Sequence, residues 1–173
     1  MNYDYRPIRQ NYKAHALVVL LFLLSGVAFG SSGLWPEQRI QWQLMGLLPL
    51  LPAIRLIARY MASRYLYRLH VREDGCTDLE IFVYRGGERM LMVFRVGLGE
   101  ILDAAPLSPR NARAPKGVKR HNYAQDLYPQ RGLVLRVPLG EGSCEVLFCP
   151  DTHIIREIEN ALSASRASAP AEE

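Results

Sequence analysis

The stretch AHALVVLLFLLSGVAFGSSGL, residues 14–34, decides how this chain is read. None of its 21 residues is Asp, Glu, Lys or Arg, and at about 1.5 Å of rise per residue a helix of that length crosses a hydrocarbon core of roughly 30 Å. The sequence therefore predicts a transmembrane helix. After a short polar turn comes a second apolar stretch, LMGLLPLLPAIRLIA at residues 44–58. Its uncharged core is shorter and holds Pro49 and Pro52, each of which removes a helical hydrogen-bond donor. Arg55 can lay its stem along the helix and set its guanidinium at headgroup level, and membrane helices tolerate proline better than soluble ones do. A bent second span from about residue 40 to residue 60 is expected, with a re-entrant or interfacial helix as the competing reading.

The charges outside this pair set its orientation. Residues 1–13 carry Arg6, Arg9 and Lys13 against Asp4, and Arg55, Arg59, Arg64, Arg68 and Arg72 precede the next acid. The turn between the spans, residues 35–43, has one Glu and one Arg. The excess of Lys and Arg on cytoplasmic loops places both termini in the cytoplasm and a short turn outside, with Trp35 and Trp42 as interfacial anchors. A cleaved signal peptide is the rival, but GVAFGSSG matches a cleavage region only loosely and a second apolar stretch follows at once. The net charge of +4 is concentrated beside the spans, which points to an anionic membrane surface rather than to nucleic acid.

Beyond residue 64 the pattern changes to strands. YLYRLHVR (65–72) alternates, EDGC turns the chain, LEIFVYR (79–85) resumes, GGE turns it again, and RMLMVFRV (89–96) forms a third strand. Gly97–Gly99 interrupts, leaving Ile101 and Leu102 to end that strand or begin a short fourth; residues 134–137 and 145–148 make a late hairpin across PLGEGSC, where Gly140 and Gly142 can take positive φ. The period then becomes helical. Asp151 or Thr152 can cap a helix whose stripe is Ile154, Ile155, Ile158, Ala161 and Leu162. SASRASAPAEE (163–173) has little to bury and is expected to be a disordered tail. Three cysteines, Cys76, Cys144 and Cys149, form no CxxC, and in a reducing cytoplasm Cys144 and Cys149 read as small buried hydrophobes.

The strands from YRLHVREDG onward, the hairpin RGLVLRVPLGEGSCEVLFCP and the terminal helix DTHIIREIENAL resemble a pleckstrin-homology-like domain. With two preceding spans, the chain is similar over residues 14–162 to small bacterial membrane-anchored proteins of that class. The resemblance implies a cytoplasmic N-terminal segment (1–13), a transmembrane hairpin (14–64), and a mainly antiparallel, partly open β-barrel domain (65–162) closed by a C-terminal helix. It also implies residence in a bacterial inner membrane. A two-span hairpin carrying a small domain also resembles photosystem assembly factors, which suggests docking onto a membrane complex. Neither resemblance supplies a functional residue motif.

The connector AAPLSPRNARAPKGVKRHNY (104–123) holds Arg110, Arg113, Lys116, Lys119 and Arg120 with no acid. Its prolines and glycine argue against a helix, and a loop of this length inside a small domain is functional or disordered. These five cations and Tyr123, which a neighbouring cation could meet through its ring, are the candidate lipid- or partner-binding residues; core packing is the preferred role for Tyr123. A solvated loop tethered near the membrane is the bland alternative. His153 and Glu157 share a helix face with Asp151 nearby, too few groups for a closed metal site. There is no phosphate-binding loop, HExxH or GxSxG, so no cofactor or metal is expected. Gly26 and Gly30, with Ala28, Ser31 and Ser32, would let another helix approach. The expectation is a membrane-anchored scaffold or accessory subunit whose β domain binds a protein partner. The alternatives are an anionic-lipid sensor working through the basic loop, and an unrecognised membrane enzyme.

Overall fold

A computed structural model describes residues 2–8, 11–85, 89–129, 131–140 and 142–168. They fall into a helical unit, Arg9–Arg64, and a sheet unit made of Met1–Ile8 with Tyr65–Glu173. The expected GGE turn (86–88), the end of the tail (169–173), Arg9 and Glu141 lie outside the described residues.

In the helical unit the apolar run forms α1 (Tyr12–Leu34). A 3₁₀ turn (Pro36–Gln38) leads into α2 (Arg39–Leu47), then α3 (Leu50–Leu56) and a π-helical turn (Ile57–Ala62). The expected bend is a break at Leu48 and Pro49, after which Ala53 N–H donates to the Pro49 carbonyl at 3.2 Å and the helix resumes. Both helical stretches, Tyr12–Leu34 and Pro36–Ala62, are long and apolar enough to cross a membrane.

Small side chains bring the two stretches together. The buried face of α1 is Ala14, Val18, Ser25, Ala28 and Ser32, while Phe22, Leu23, Leu24 and Val27 are exposed. Ser25 Oγ donates to the Gly46 carbonyl at 2.7 Å, and a Cβ on Gly46 would stand 2.9 Å from the Phe29 ring, so any side chain there would have to displace that ring. Asn11 Nδ2 donates to the Tyr60 carbonyl at 2.7 Å, joining the beginning of the hairpin to its end. At the far turn Trp35 and Trp42 meet edge to face at 5.7 Å.

The sheet unit contains β1 (Tyr3–Tyr5), β2 (Ser63–Val71), β3 (Thr77–Arg85) and β4 (Met90–Gly97) in one sheet, ordered β1-β2-β3-β4. A 3₁₀ turn, Leu98–Glu100, fills the Gly97–Gly99 interruption. The second sheet is made of β5 (Asp103–Pro106), β6 (Lys119–Asn122), β7 (Leu133–Leu139) and β8 (Gly142–Phe148), ordered β5-β7-β8-β6. Helix α4 (Thr152–Ser168) follows, with Asp151 Oδ1 accepting from Ile154 N–H at 3.0 Å as its cap.

The fold departs from the sequence-based expectation in three places. The β domain is two open sheets, not a partly open barrel, because β4 and β5 are edges of different sheets separated by the 3₁₀ turn. The N-terminal segment is not merely a flank of the hairpin: Tyr3, Asp4 and Tyr5 pair antiparallel with Leu69, Arg68 and Tyr67. The helix does not stop at Leu162 but continues through Ser168, with Arg166 reaching Asp103 at 3.8 Å. Of the two hairpin glycines, Gly140 takes positive φ, at +58°.

Apolar alternation builds the core between the sheets. Tyr67, Leu79 and Ile81 from the first meet Leu135, Val146 and Phe148 from the second, and Ile154, Ile158 and Leu162 of α4 join them. Tyr67 is fully buried, edge-on to Phe148 at 5.2 Å, and its hydroxyl donates to the Tyr123 carbonyl at 2.9 Å. Burying that hydroxyl is tolerable because it is hydrogen-bonded.

Candidate functional site

The basic connector spans two elements that the sequence does not announce. β5 takes its first residues and β6 its last, leaving 107–118 as the loop between them. Asn111 folds this loop on itself: its Oδ1 accepts from Ser108 N–H at 2.6 Å and its Nδ2 donates to the Pro106 carbonyl at 2.9 Å. Side-chain bonds of this kind give Asn its preference for turns. Gly117, at φ +83°, supplies the conformation that closes the loop where Val118 N–H meets the Pro115 carbonyl at 3.2 Å.

Arg120 has a different environment from the other four cations. β6 runs parallel to β8 with Arg120 opposite Glu145, and β7 runs antiparallel to β8 with Arg136 opposite the same residue. The Arg120 guanidinium contacts Glu145 Oε2 through Nε at 2.9 Å and Nη2 at 2.5 Å, while Arg136 approaches Oε1 at 3.7 Å. The Arg120 and Glu145 side chains are only 11% and 7% exposed. Nη1 of Arg120 also donates to the carbonyls of Asn111 and Ala112, at 2.8 and 3.0 Å. Arg120 thus clamps the loop to the second sheet, and its donors are used internally.

Arg110, Arg113, Lys116 and Lys119 are exposed and enter no ion pair among the described residues. Tyr123 is half-buried against the core, 6.1 Å from both Tyr65 and Phe94, and its hydroxyl donates to the Val93 carbonyl at 3.2 Å. That carbonyl lies in the irregular stretch of β4, where the register with β3 shifts between Ile81 and Phe82. The structure therefore sorts the six candidate residues into four exposed cations, one clamp and one packed tyrosine. Sequence reasoning missed Asn111 and Glu145. The Asn in SPRNARAP was a usable turn signal, whereas nothing local marks Glu145 as the partner of a residue 25 positions away on a parallel strand.

A second charged network fixes β1. Arg68 grips Asp4 through two bonds of 2.6 and 2.9 Å and lies over the Phe82 ring at 5.1 Å. Arg68 holds the Asp4 carboxyl below its ordinary range. Tyr3 donates to Asp151 and stacks on His153 at 4.4 Å, and that hydrogen bond raises the Tyr3 hydroxyl pKa. On the neighbouring strands Asp78 is buried beside Arg95 at 2.6 Å and Arg72 at 3.2 Å. Cys144 is buried, Cys149 half-buried and Cys76 exposed; burial pushes the Cys149 thiol up to about 11. Among the described residues no three His, Cys, Asp or Glu side chains converge as metal ligands. Comparison with protein-family models, curated proteins and solved structures found no match.

Proposed function

We propose that the chain is a membrane-anchored adaptor: α1 and the broken α2–α3 stretch cross the bilayer as a hairpin, and the sheet unit is displayed at its cytoplasmic face to dock a protein of a membrane complex. The observation that carries this is connectivity. The helical unit is inserted between β1 and β2, which are paired neighbours in one sheet. Strands that share hydrogen bonds occupy the same side of any membrane, so a chain that crosses in α1 must cross back before Ser63. The Asn11–Tyr60 bond, which joins the two ends of the hairpin, supports the same even number of crossings. Removal of α1 as a signal peptide would also remove β1 from its sheet.

The basic flanks favour the cytoplasmic side. Anchoring raises the effective concentration of the sheet unit for any membrane partner, which is the mechanism proposed for docking. The pleckstrin-homology-like identity of the sheet unit rests on its order of elements, strands followed by one C-terminal helix, within the proposed inner-membrane setting.

Cysteine labelling tests the topology. Cys76 is exposed in the turn after β2, and Glu37→Cys would place a thiol in the turn between the helices. A membrane-impermeant maleimide applied to intact cells should label the Glu37→Cys site and reach Cys76 only after the membrane is opened. Labelling of Cys76 from outside would reverse the orientation, and equal labelling of both from one side would remove the spanning hairpin. Crosslinking of the full chain in its native membrane then tests docking: one protein recovered at fixed stoichiometry supports the adaptor, and recovery of lipid alone overturns it.

A further inference from the structure

We propose that the exposed cations of the connector, Arg110, Arg113, Lys116 and Lys119, bind the anionic phospholipid headgroups of the bilayer in which the chain is anchored. This rests on the anchored hairpin proposed above but not on its protein partner. Three observations carry it. These four side chains lie within ten residues with no acid among them, and they have no ion-pair partner among the described residues. The backbone that bears them is folded by Asn111 and clamped by Arg120, so ordering it on a ligand costs little of the entropy that a floppy loop would lose. Charge is what the loop itself exposes: its own large apolar side chains, Leu107 and Val118, are half-buried, and the nearest exposed ones along the chain are Leu102 and Tyr128, outside it.

The last point selects the ligand. A protein interface concentrates its affinity in buried aromatic, arginine and aliphatic anchors seated in pockets. A lipid surface instead attracts basic groups by their number and proximity, about fivefold in partitioning for each Lys or Arg close to an anionic leaflet. Four exposed cations on an ordered loop suit the second.

The test uses the full chain reconstituted in vesicles of phosphatidylcholine alone, or of phosphatidylcholine mixed with phosphatidylglycerol. An Ala112→Cys site carries a fluorophore in a Cys76→Ser background, and a nitroxide on the lipid headgroup reports proximity. Quenching should be several-fold stronger with phosphatidylglycerol and should collapse when salt shortens the Debye length to about 3 Å. It should also be lost when the four cations are changed together to Gln, with the thermal midpoint unchanged. Quenching that ignores lipid charge, or that survives in the fourfold variant, overturns the proposal, as does protection of the fluorophore only when an acidic protein is added. An alkaline wash of the same vesicles separates the two readings. A chain that washes off defeats the anchor, whereas a retained chain with charge-independent quenching defeats the headgroup contact alone.

Discussion

Arg120 shows how one side chain can be misjudged by its charge. By sequence it is a fifth member of a basic run; by position it is the residue opposite Glu145, with two loop carbonyls on its remaining donors. Removing it leaves a buried carboxylate with only Arg136 at 3.7 Å. We expect Arg120→Ala to lower unfolding stability by about 3 kcal/mol, measured by denaturant titration, while Arg113→Ala leaves the midpoint unchanged. Equal behaviour of the two variants would return Arg120 to the exposed set. Composition marks the run of cations, but a partner on a parallel strand leaves no trace in local periodicity. Tyr123 is the converse case, since its preferred role as a packing residue follows from its being an aromatic beside alternating strands.

At the scale of elements, legibility follows the strength of the local pattern. β2, β3, β4, β7 and β8 are seven residues or longer and rich in β-branched, aromatic and other apolar residues between turn signals, and α4 has both a cap and a stripe. β1 and β6 have three and four residues, YDY and KRHN, and exist because of the strands beside them rather than because of their own composition. The end of α4 was misplaced for a similar reason: residues 163–168 are small and polar, yet they continue a helix already nucleated, and adding a turn is easier than starting one. The pair of apolar helices and a bend at one of two prolines were legible, but the tightest point was not. Gly46 faces the Phe29 ring so closely that any side chain must displace it. Gly46→Leu should therefore separate α1 from α2, lowering the thermal midpoint in detergent and freeing Ser25, whereas Gly26→Leu, where a Cβ meets nothing within 4 Å, should not.

For the whole molecule, acid and alkali act on the seam between the N-terminal strand and the start of α4. Asp4 is held low by Arg68, so its contribution is present above its ordinary value of 3.8 and is lost as pH falls through the folded value. Tyr3 is held high first by its bond to Asp151, Tyr5 first by burial, and Cys149 by burial to about 11. Their contribution is present below the ordinary values of 9.0 for the thiol and 10.0 for the phenols, and is lost as pH rises through the raised ones. Stability should form a plateau from about pH 5 to pH 9 and fall on either side, with hydrogen exchange at β1 rising before that at β7 and β8. Denaturation midpoints across pH, read with phenolate absorbance, check this; a flat profile to pH 11 would mean that the seam contributes nothing.

The pairing of β1 with β2 also imposes an order of events on synthesis. Tyr5 leaves the ribosome 64 residues ahead of Leu69, the partner of Tyr3, a wait of about 3–13 s at roughly 5–20 residues per second. During that interval the first strand is made but has nothing to pair with, and the helical insert must fold before the sheet can receive it. A chain whose insert ends on opposite faces of a membrane could never bring the two strands together, and β2 would keep an open edge. Completion of the sheet is therefore a built-in inspection of the insert, in which an error made early in synthesis becomes visible as an unfinished domain.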